Sequence, residues 1–145
     1  MGAAPSETTV HASCIALDGK AVLIRGASGS GKSGLGLELM ALGANLLADD
    51  RVILTRVGNA IIASCPPALN GMIEARGIGI LNATPCPPCP VVLIVDLDKP
   101  EQERLPPRRS ENLLGCRLPL LHNAGINHFA AAILQYLKAG RHDTG

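Results

Sequence analysis

Apolar and polar positions change period several times along this chain, and each change marks an element. Thr8–Leu17 reads as a strand, followed by Asp18-Gly19 and a second apolar run, Lys20–Arg25. Asp-Gly between two apolar runs predicts a type I′ hairpin, whose two central residues both need positive φ. A two-residue loop pairs Leu17 with Lys20 and Ile15 with Val22, and the same register carried outward sets His11 opposite Gly26. Leu35, Leu39 and Leu42 then recur at helical spacing and predict a helix over Lys32–Leu42 that stops at Gly43. Gly34 and Gly36 weaken its first half by propensity. A short strand, Leu46–Ala48, ends on Asp49-Asp50, and Val52–Val57 with Ala60–Ser64 predict a hairpin around Gly58-Asn59. Met72–Leu81 is apolar but interrupted by Glu74, Arg76, Gly77 and Gly79, and a Pro/Cys loop covers 85–90. The β-branched run Val91–Leu97 reads as a buried strand. Residues 99–117, charged and Pro-containing, read as a mobile loop, and Ile126–Lys138 as a helix with Phe129, Ala132, Ile133 and Leu137 on one face. The expected organisation is a leader over 1–7, one domain over 8–140 and a tail over 141–145.

Strands, a hairpin and two helices in this order predict an α/β fold with a mixed sheet. Composition narrows the function classes. The chain has 145 residues, 47% of them apolar, which suits a single domain with an ordinary core. It carries one Phe, one Tyr, no Trp and a net charge of +1. Base-stacking platforms need aromatics and phosphate backbones need basic stripes, so nucleic-acid binding is not expected. The strongly apolar run Val91–Val95 is too short to cross a bilayer, and no secretory signal is present. A cytoplasmic protein without membrane contact is therefore expected. The start Met1-Gly-Ala-Ala-Pro-Ser6 matches a loose myristoylation pattern but reads as a small-residue tail. Of five cysteines, Cys86-Pro-Pro-Cys89 form a lone C-x-x-C without a second pair or a His nearby, and reduced thiols on a loop are expected.

Chemistry concentrates at Gly26-Ala27-Ser28-Gly29-Ser30-Gly31-Lys32-Ser33, a G-x-x-x-x-G-K-[ST] segment between a strand and a helix. The glycines let backbone N–H groups converge on one concavity, and the helix N-terminus adds positive potential. Lys32 is suited to the β- and γ-phosphates of ATP, and Ser33 offers a hydroxyl to Mg²⁺. His11, placed by the hairpin beside this loop, would present a donor to phosphate oxygens. Phosphoryl transfer also needs carboxylates, and two sets compete: Asp49-Asp50 and Asp96/Asp98, each at a strand end. Residue physics leaves both open. Side chains alternate along an extended chain, so of Asp49 and Asp50 only one can face the phosphates while the other braces it. Glu74 and Arg76 inside an apolar, Gly-rich stretch have the character of a site-lining segment.

Together, His11 before the loop, Gly26–Ser33, Leu47-Ala-Asp-Asp-Arg-Val52 and Ile73-Glu-Ala-Arg-Gly-Ile-Gly-Ile80 resemble the catalytic domain of the HPr serine kinase/phosphorylase family. The resemblance is strong over residues 8–82 and faint beyond. It implies a phosphoenolpyruvate-carboxykinase-like P-loop domain with hairpins flanking the phosphate-loop strand. It also implies transfer of phosphate from ATP to a serine of an HPr-like phosphocarrier protein, with Mg²⁺ and with a homo-oligomer, a hexamer in family members. By motif match, Asp50 is the general base, Lys32 and His11 hold phosphate, Ser33 and Glu74 hold Mg²⁺, and Asp49 supports the metal side. Arg104 is matched to a catalytic arginine of the family within a poorly matching stretch.

The family's N-terminal domain has no counterpart, so the likeness is to a short, catalytic-domain-only form. Its basic segment tied to phosphorolysis falls near Pro119-Leu-Leu-His-Asn-Ala-Gly125, where the lysine and arginine are absent. Kinase activity with weak or no phosphorolysis is the expectation. Two alternatives remain: a small-metabolite P-loop kinase using Arg104, Arg108 and Arg109 as a lid, and a nucleotide-binding regulator without catalysis.

Overall fold

The computed structural model describes residues 6–142; Met1–Pro5, with most of the myristoylation-like pattern, lie outside the described residues. The strands are β1 (Glu7–His11), β2 (Ser13–Leu17), β3 (Lys20–Arg25), β4 (Asn45–Ala48), β5 (Arg51–Val57), β6 (Ala60–Ser64), β7 (Met72–Ala75), β8 (Gly79–Asn82), β9 (Cys89–Pro100), β10 (Arg109–Leu113) and β11 (Cys116–Asn123). The helices are α1 (Lys32–Ala41) and α2 (Phe129–Ala139).

Nine strands form one branched sheet. Its main path runs β10–β11–β9–β3–β2–β4, with β11, β9 and β3 parallel and the rest antiparallel. An antiparallel layer, β1–β5–β6, joins at the start of β9 through Ile62↔Pro90 and Ala63↔Cys89. The small hairpin β7–β8 stands apart. This is the mixed α/β architecture expected. Strands β2, β3 and β9 are buried on both faces, and alternate residues enter two cores. Ile15, Val22, Ile24, Leu93 and Val95 pack with Leu35 and Leu39 of α1 and with Ile133, Leu134 and Leu137 of α2. Cys14, Ala16, Ala21, Leu23, Val91 and Ile94 pack against Leu54, Ile61 and Ala63 of the β5–β6 layer.

The hairpin signal holds in detail: Asp18 has φ 51° and Gly19 φ 76°, and Leu17↔Lys20 and Ile15↔Val22 pair as expected. The register does not extend to His11. Residues 8–17 are not one strand; the chain changes sheets at Ala12, and His11 pairs with Arg51, not Gly26. Burial shows why. Strand β1 is half-buried on alternate residues only, as an edge strand is, whereas β2 is buried almost throughout. The β5–β6 hairpin and α1 follow expectation, α1 giving way to Gly43 at φ 113°.

Of residues 99–117, expected as a loop, only 101–108 connect strands without regular structure. Strand β9 runs on to Pro100, and β10 and β11 make a hairpin through Leu114-Gly115, at φ 51° and 84°. Strand β10 alternates half-buried with exposed positions, so its charged residues mask a strand at a sheet edge. The apolar stretch at 72–81 is likewise a hairpin, turning at Gly77 with φ 84°. Helix α2 starts three residues later than expected. It buries Ala130, Ile133, Leu134 and Leu137, leaving Ala132 exposed. All five cysteines are free thiols. A hydrogen bond with Cys89 brings the Cys86 thiol below its usual value, while burial pushes Cys14 up.

Leu39 is fully buried between α1 and the sheet. Leu39→Ala should remove about 2–5 kcal/mol of stability, read from urea unfolding; a loss below about 1 kcal/mol would show that α1 is not packed as described.

Candidate active site

The phosphate loop joins β3 to α1. Gly29 at φ 84° and Gly31 at φ 102° take left-handed conformations there, and α1 opens at Lys32 with its first N–H groups lacking helical partners. The loop is fastened at its start by Asp98, whose two carboxylate oxygens accept the Ala27 N–H at 2.9 and 3.0 Å. Asp96 accepts the Asp98 N–H at 2.9 Å and lies 3.4 Å from the Arg25 guanidinium, which also pairs with Glu111 of β10. The hydrogen bonds that Arg25 donates to Glu111 raise its pKa above the usual guanidinium value. Lys32 is buried, its Nζ donating to the carbonyls of Gly26 at 2.8 Å and Ala27 at 3.1 Å. Ser30 Oγ is buried without a hydrogen-bond partner among the described residues.

At the other end of the loop stands Asp49, a buried carboxylate. It accepts Ser13 Oγ at 2.6 Å, Ser33 Oγ at 2.9 and 3.1 Å, and the Glu74 N–H at 3.3 Å. One side chain thus ties β2, α1 and β7 to the end of β4. The next residue, Asp50, turns the opposite way with φ 74°, and its Oδ1 lies 2.8 Å from His11 Nε2. Both of these side chains are more than half exposed, at 55% and 59%. The Asp50 carbonyl accepts the Ala12 N–H at 3.3 Å, fixing the point where the chain changes sheets.

These residues share one cleft of about 580 Å³, lined by His11, Ser28, Gly29 and Gly31–Ser33 of the loop, Asp49, Asp50, Glu74 and Arg76. Most of the expected set therefore converges: His11, Lys32, Ser33, Asp49, Asp50 and Glu74. His11 arrives by a different route, as the last residue of β1 beside Asp50. Gly26 and Ala27 lie at the root of the loop rather than in the cleft lining, and Ser30, its Oγ buried, does not line the cleft either. Arg104 is not brought in; it is exposed on the 101–108 connector. Asp96 and Asp98 are spent on the loop's root. Asp98, one of the two competing carboxylate sets, serves the loop's root instead of the cleft, and Ser13 is a partner of the site that the motifs do not mark. Ser13 is the lone hydroxyl in an apolar strand, and that was the available signal; nothing local marks what Asp98 holds.

Oxygen donors around Ser33 and Asp49 suit a hard cation such as Mg²⁺. Among the described residues, no group of three or more His, Cys, Asp or Glu is placed to hold a metal alone. That fits a cation carried chiefly by phosphate oxygens and water, as Mg²⁺ in nucleotide sites is.

The family model described as HPr Serine kinase C-terminal domain matches residues 3–86, more than half of the chain. The chain belongs to this family. The HPr kinase/phosphorylase of Bordetella petrii is 47% identical over 76 residues, 52% of this chain and 25% of that protein. That of Cupriavidus necator is 47% identical over 75 residues, 51% of this chain and 23% of that protein. The matched stretch thus spans about a quarter of these curated relatives. Beyond residue 86 the likeness is carried by structure. The HPr(Ser) kinase/phosphatase from Coxiella burnetii aligns with a TM-score of 0.78 and 32% identity, covering 90% of this chain and 94% of that one. No helix among the described residues is long and apolar enough to cross a membrane.

A Cβ on Gly26 would lie 2.5 Å from Ser30 Oγ. Gly26→Ala should therefore displace the loop, and the ATP affinity proposed below should fall at least about tenfold, or ~1.4 kcal/mol, by titration calorimetry. Unchanged affinity would mean that the loop's root does not position it.

Proposed function

We propose that this chain is an ATP-dependent, Mg²⁺-requiring protein-serine kinase of the cytoplasm, acting on an HPr-like phosphocarrier. The observation that carries the reading is the shared cleft, with the loop and Lys32 on one wall and Asp50 with His11 on the rim. The names of the family and of its relatives support the substrate class. In the proposed step Asp50 takes the proton of the substrate serine hydroxyl. The serine oxygen forms a bond to the γ-phosphorus, the bond from that phosphorus to the β–γ bridging oxygen breaks, and ADP leaves with it. Lys32 exchanges its two carbonyl partners for phosphate oxygens, which are stronger acceptors. His11 orients Asp50 through its hydrogen bond and stands ready to donate to phosphate. Mg²⁺, when bound at Ser33 with Glu74 and Asp49 nearby, neutralises phosphate charge. Asp49 holds the Ser33 hydroxyl towards that side.

A metabolite kinase closing an arginine lid is not favoured. Arg108 and Arg109 line a separate hollow, and none of Arg104, Arg108 and Arg109 lines the cleft. The proposal extends to weak or absent phosphorolysis, from the missing basic residues at 119–125, and to a homo-oligomer, a hexamer by family likeness. Residues 119–123 belong to β11, and no residue of 119–125 lines the cleft, so the segment offers the loop no replacement cations.

Incubation with Mg-ATP and candidate HPr-like proteins should add a single phosphate by intact mass. Asp50→Asn should lower the rate by about 10²–10⁴ while leaving ATP binding intact. Unchanged transfer in that variant refutes the base assignment, and no transfer to any phosphocarrier refutes the substrate class. Inorganic phosphate added to the phosphorylated carrier should release little; steady loss of the serine phosphate would overturn the one-way reading.

A further inference from the structure

A second hollow, of about 230 Å³, lies between β10, β11 and the end of α2 and shares no lining residue with the loop cleft. Four arginines line it: Arg108, Arg109, Arg117 and Arg141. Their partners are unequal. Arg109 is matched, with Nε and Nη2 donating to the two oxygens of Glu101 at 3.1 and 3.0 Å. Glu103 adds a further negative charge near it. Among the described residues the other three donate only to neutral oxygens. Arg108 reaches the Arg141 carbonyl at 3.4 Å, Arg117 the Ser110 hydroxyl at 3.2 Å, and Arg141 the Pro106 carbonyl. None of the three has a carboxylate partner among the described residues.

Three guanidinium groups around one small hollow repel one another, in a chain whose net charge is only +1. Arg108 and Arg117 are exposed and could turn outward to water. Guanidinium forks match phosphate oxygens in pairs, and the Ser110 hydroxyl, the Tyr136 ring and the apolar residues 118–121 of β11 complete the wall. Pockets for drug-sized ligands start at roughly 300 Å³, so the hollow admits a small anion rather than a nucleotide.

We infer that the hollow lined by Arg108, Arg117 and Arg141 is a binding site for a phosphate group, free or carried on a small phosphomonoester, separate from the nucleotide cleft. The site adjoins β10, whose Glu111 holds Arg25 at the root of the phosphate loop. It does not depend on the proposed kinase activity.

The test is an amide-shift titration of the full chain by NMR, with inorganic phosphate and with glycerol phosphate, against chloride at equal ionic strength. The expected result is saturable shifts at Ser110, Arg117–Leu121 and Tyr136 that chloride does not produce. Any shifts at 26–33 report the nucleotide loop independently. Arg108→Gln and Arg117→Gln should each weaken the effect about tenfold, the scale of one charge-assisted hydrogen bond, with the rest of the spectrum unchanged. Tighter binding of glycerol phosphate assigns an organic phosphate, and tighter binding of the inorganic ion assigns the free anion. Shifts confined to 26–33, a linear response without saturation, or Gln variants that titrate like the parent chain would overturn the inference.

Discussion

The buried carboxylate of Asp49 is the interaction on which the site depends. A charge removed from water is unfavourable by several kcal/mol unless hydrogen bonds replace its hydration. Here three donors do so, from Ser13 in β2, Ser33 in α1 and the Glu74 backbone in β7. None of these is near Asp49 in sequence. Satisfying one carboxylate therefore fixes where the phosphate-loop helix begins relative to the end of β4, and where the β7–β8 hairpin stands across the cleft. Ser33 and Glu74, the two groups proposed to face the metal, owe their mutual placement to this residue.

The far end of the loop is held by a different relay. Parallel pairing of β3 with β9 sets Arg25 beside Asp96, and Asp96 turns the chain so that Asp98 meets the Ala27 N–H. Glu111 brings β10 into the same relay through Arg25. The loop is thus fastened at both ends by carboxylates on separate strands, while Ser28, Gly29 and Gly31 between them stay exposed. A phosphate cradle needs such a division. Its ends must not move when charge arrives, and its middle N–H groups must remain free to meet that charge.

How much of this was legible follows from which interactions are local. The type I′ turn at Asp18-Gly19, the phosphate loop and the strand–helix alternation are written in adjacent residues, and each was readable. So was the character of Glu74 and Arg76, because charge inside an apolar stretch is a local oddity. The change of sheets at Ala12 was not readable, since β1 and β2 differ only in whether one face or both are covered, and that depends on β5. The β10–β11 hairpin hid behind its outward charges. The tie from Asp98 to Ala27 spans 71 residues, and no composition rule reaches that far. An aspartate at a strand end looks the same along the chain whether it faces the cleft or fastens the loop; parallel pairing of β9 with β3 decides it for Asp98.

Asp49 and Asp50 show how neighbouring identical residues acquire opposite tasks. Along a regular strand their side chains would point to opposite faces, one inward and one away from the cleft. Asp50 instead adopts φ 74°, a conformation that is unfavourable by about 1–3 kcal/mol for a residue with a Cβ, though least so for Asp and Asn. Two contacts hold it there, the Ala12 N–H on its carbonyl and His11 on its carboxylate. The kink lets Asp49 stay buried as a brace while Asp50 keeps its carboxylate on the cleft rim, more than half exposed. A base for a small metabolite gains from enclosure, which excludes water. A base for a hydroxyl carried on a protein must be reachable by a surface too large to enter a 580 Å³ cleft. The strain at Asp50 maintains that exposure, and it ties the proposed choice of substrate to one backbone dihedral.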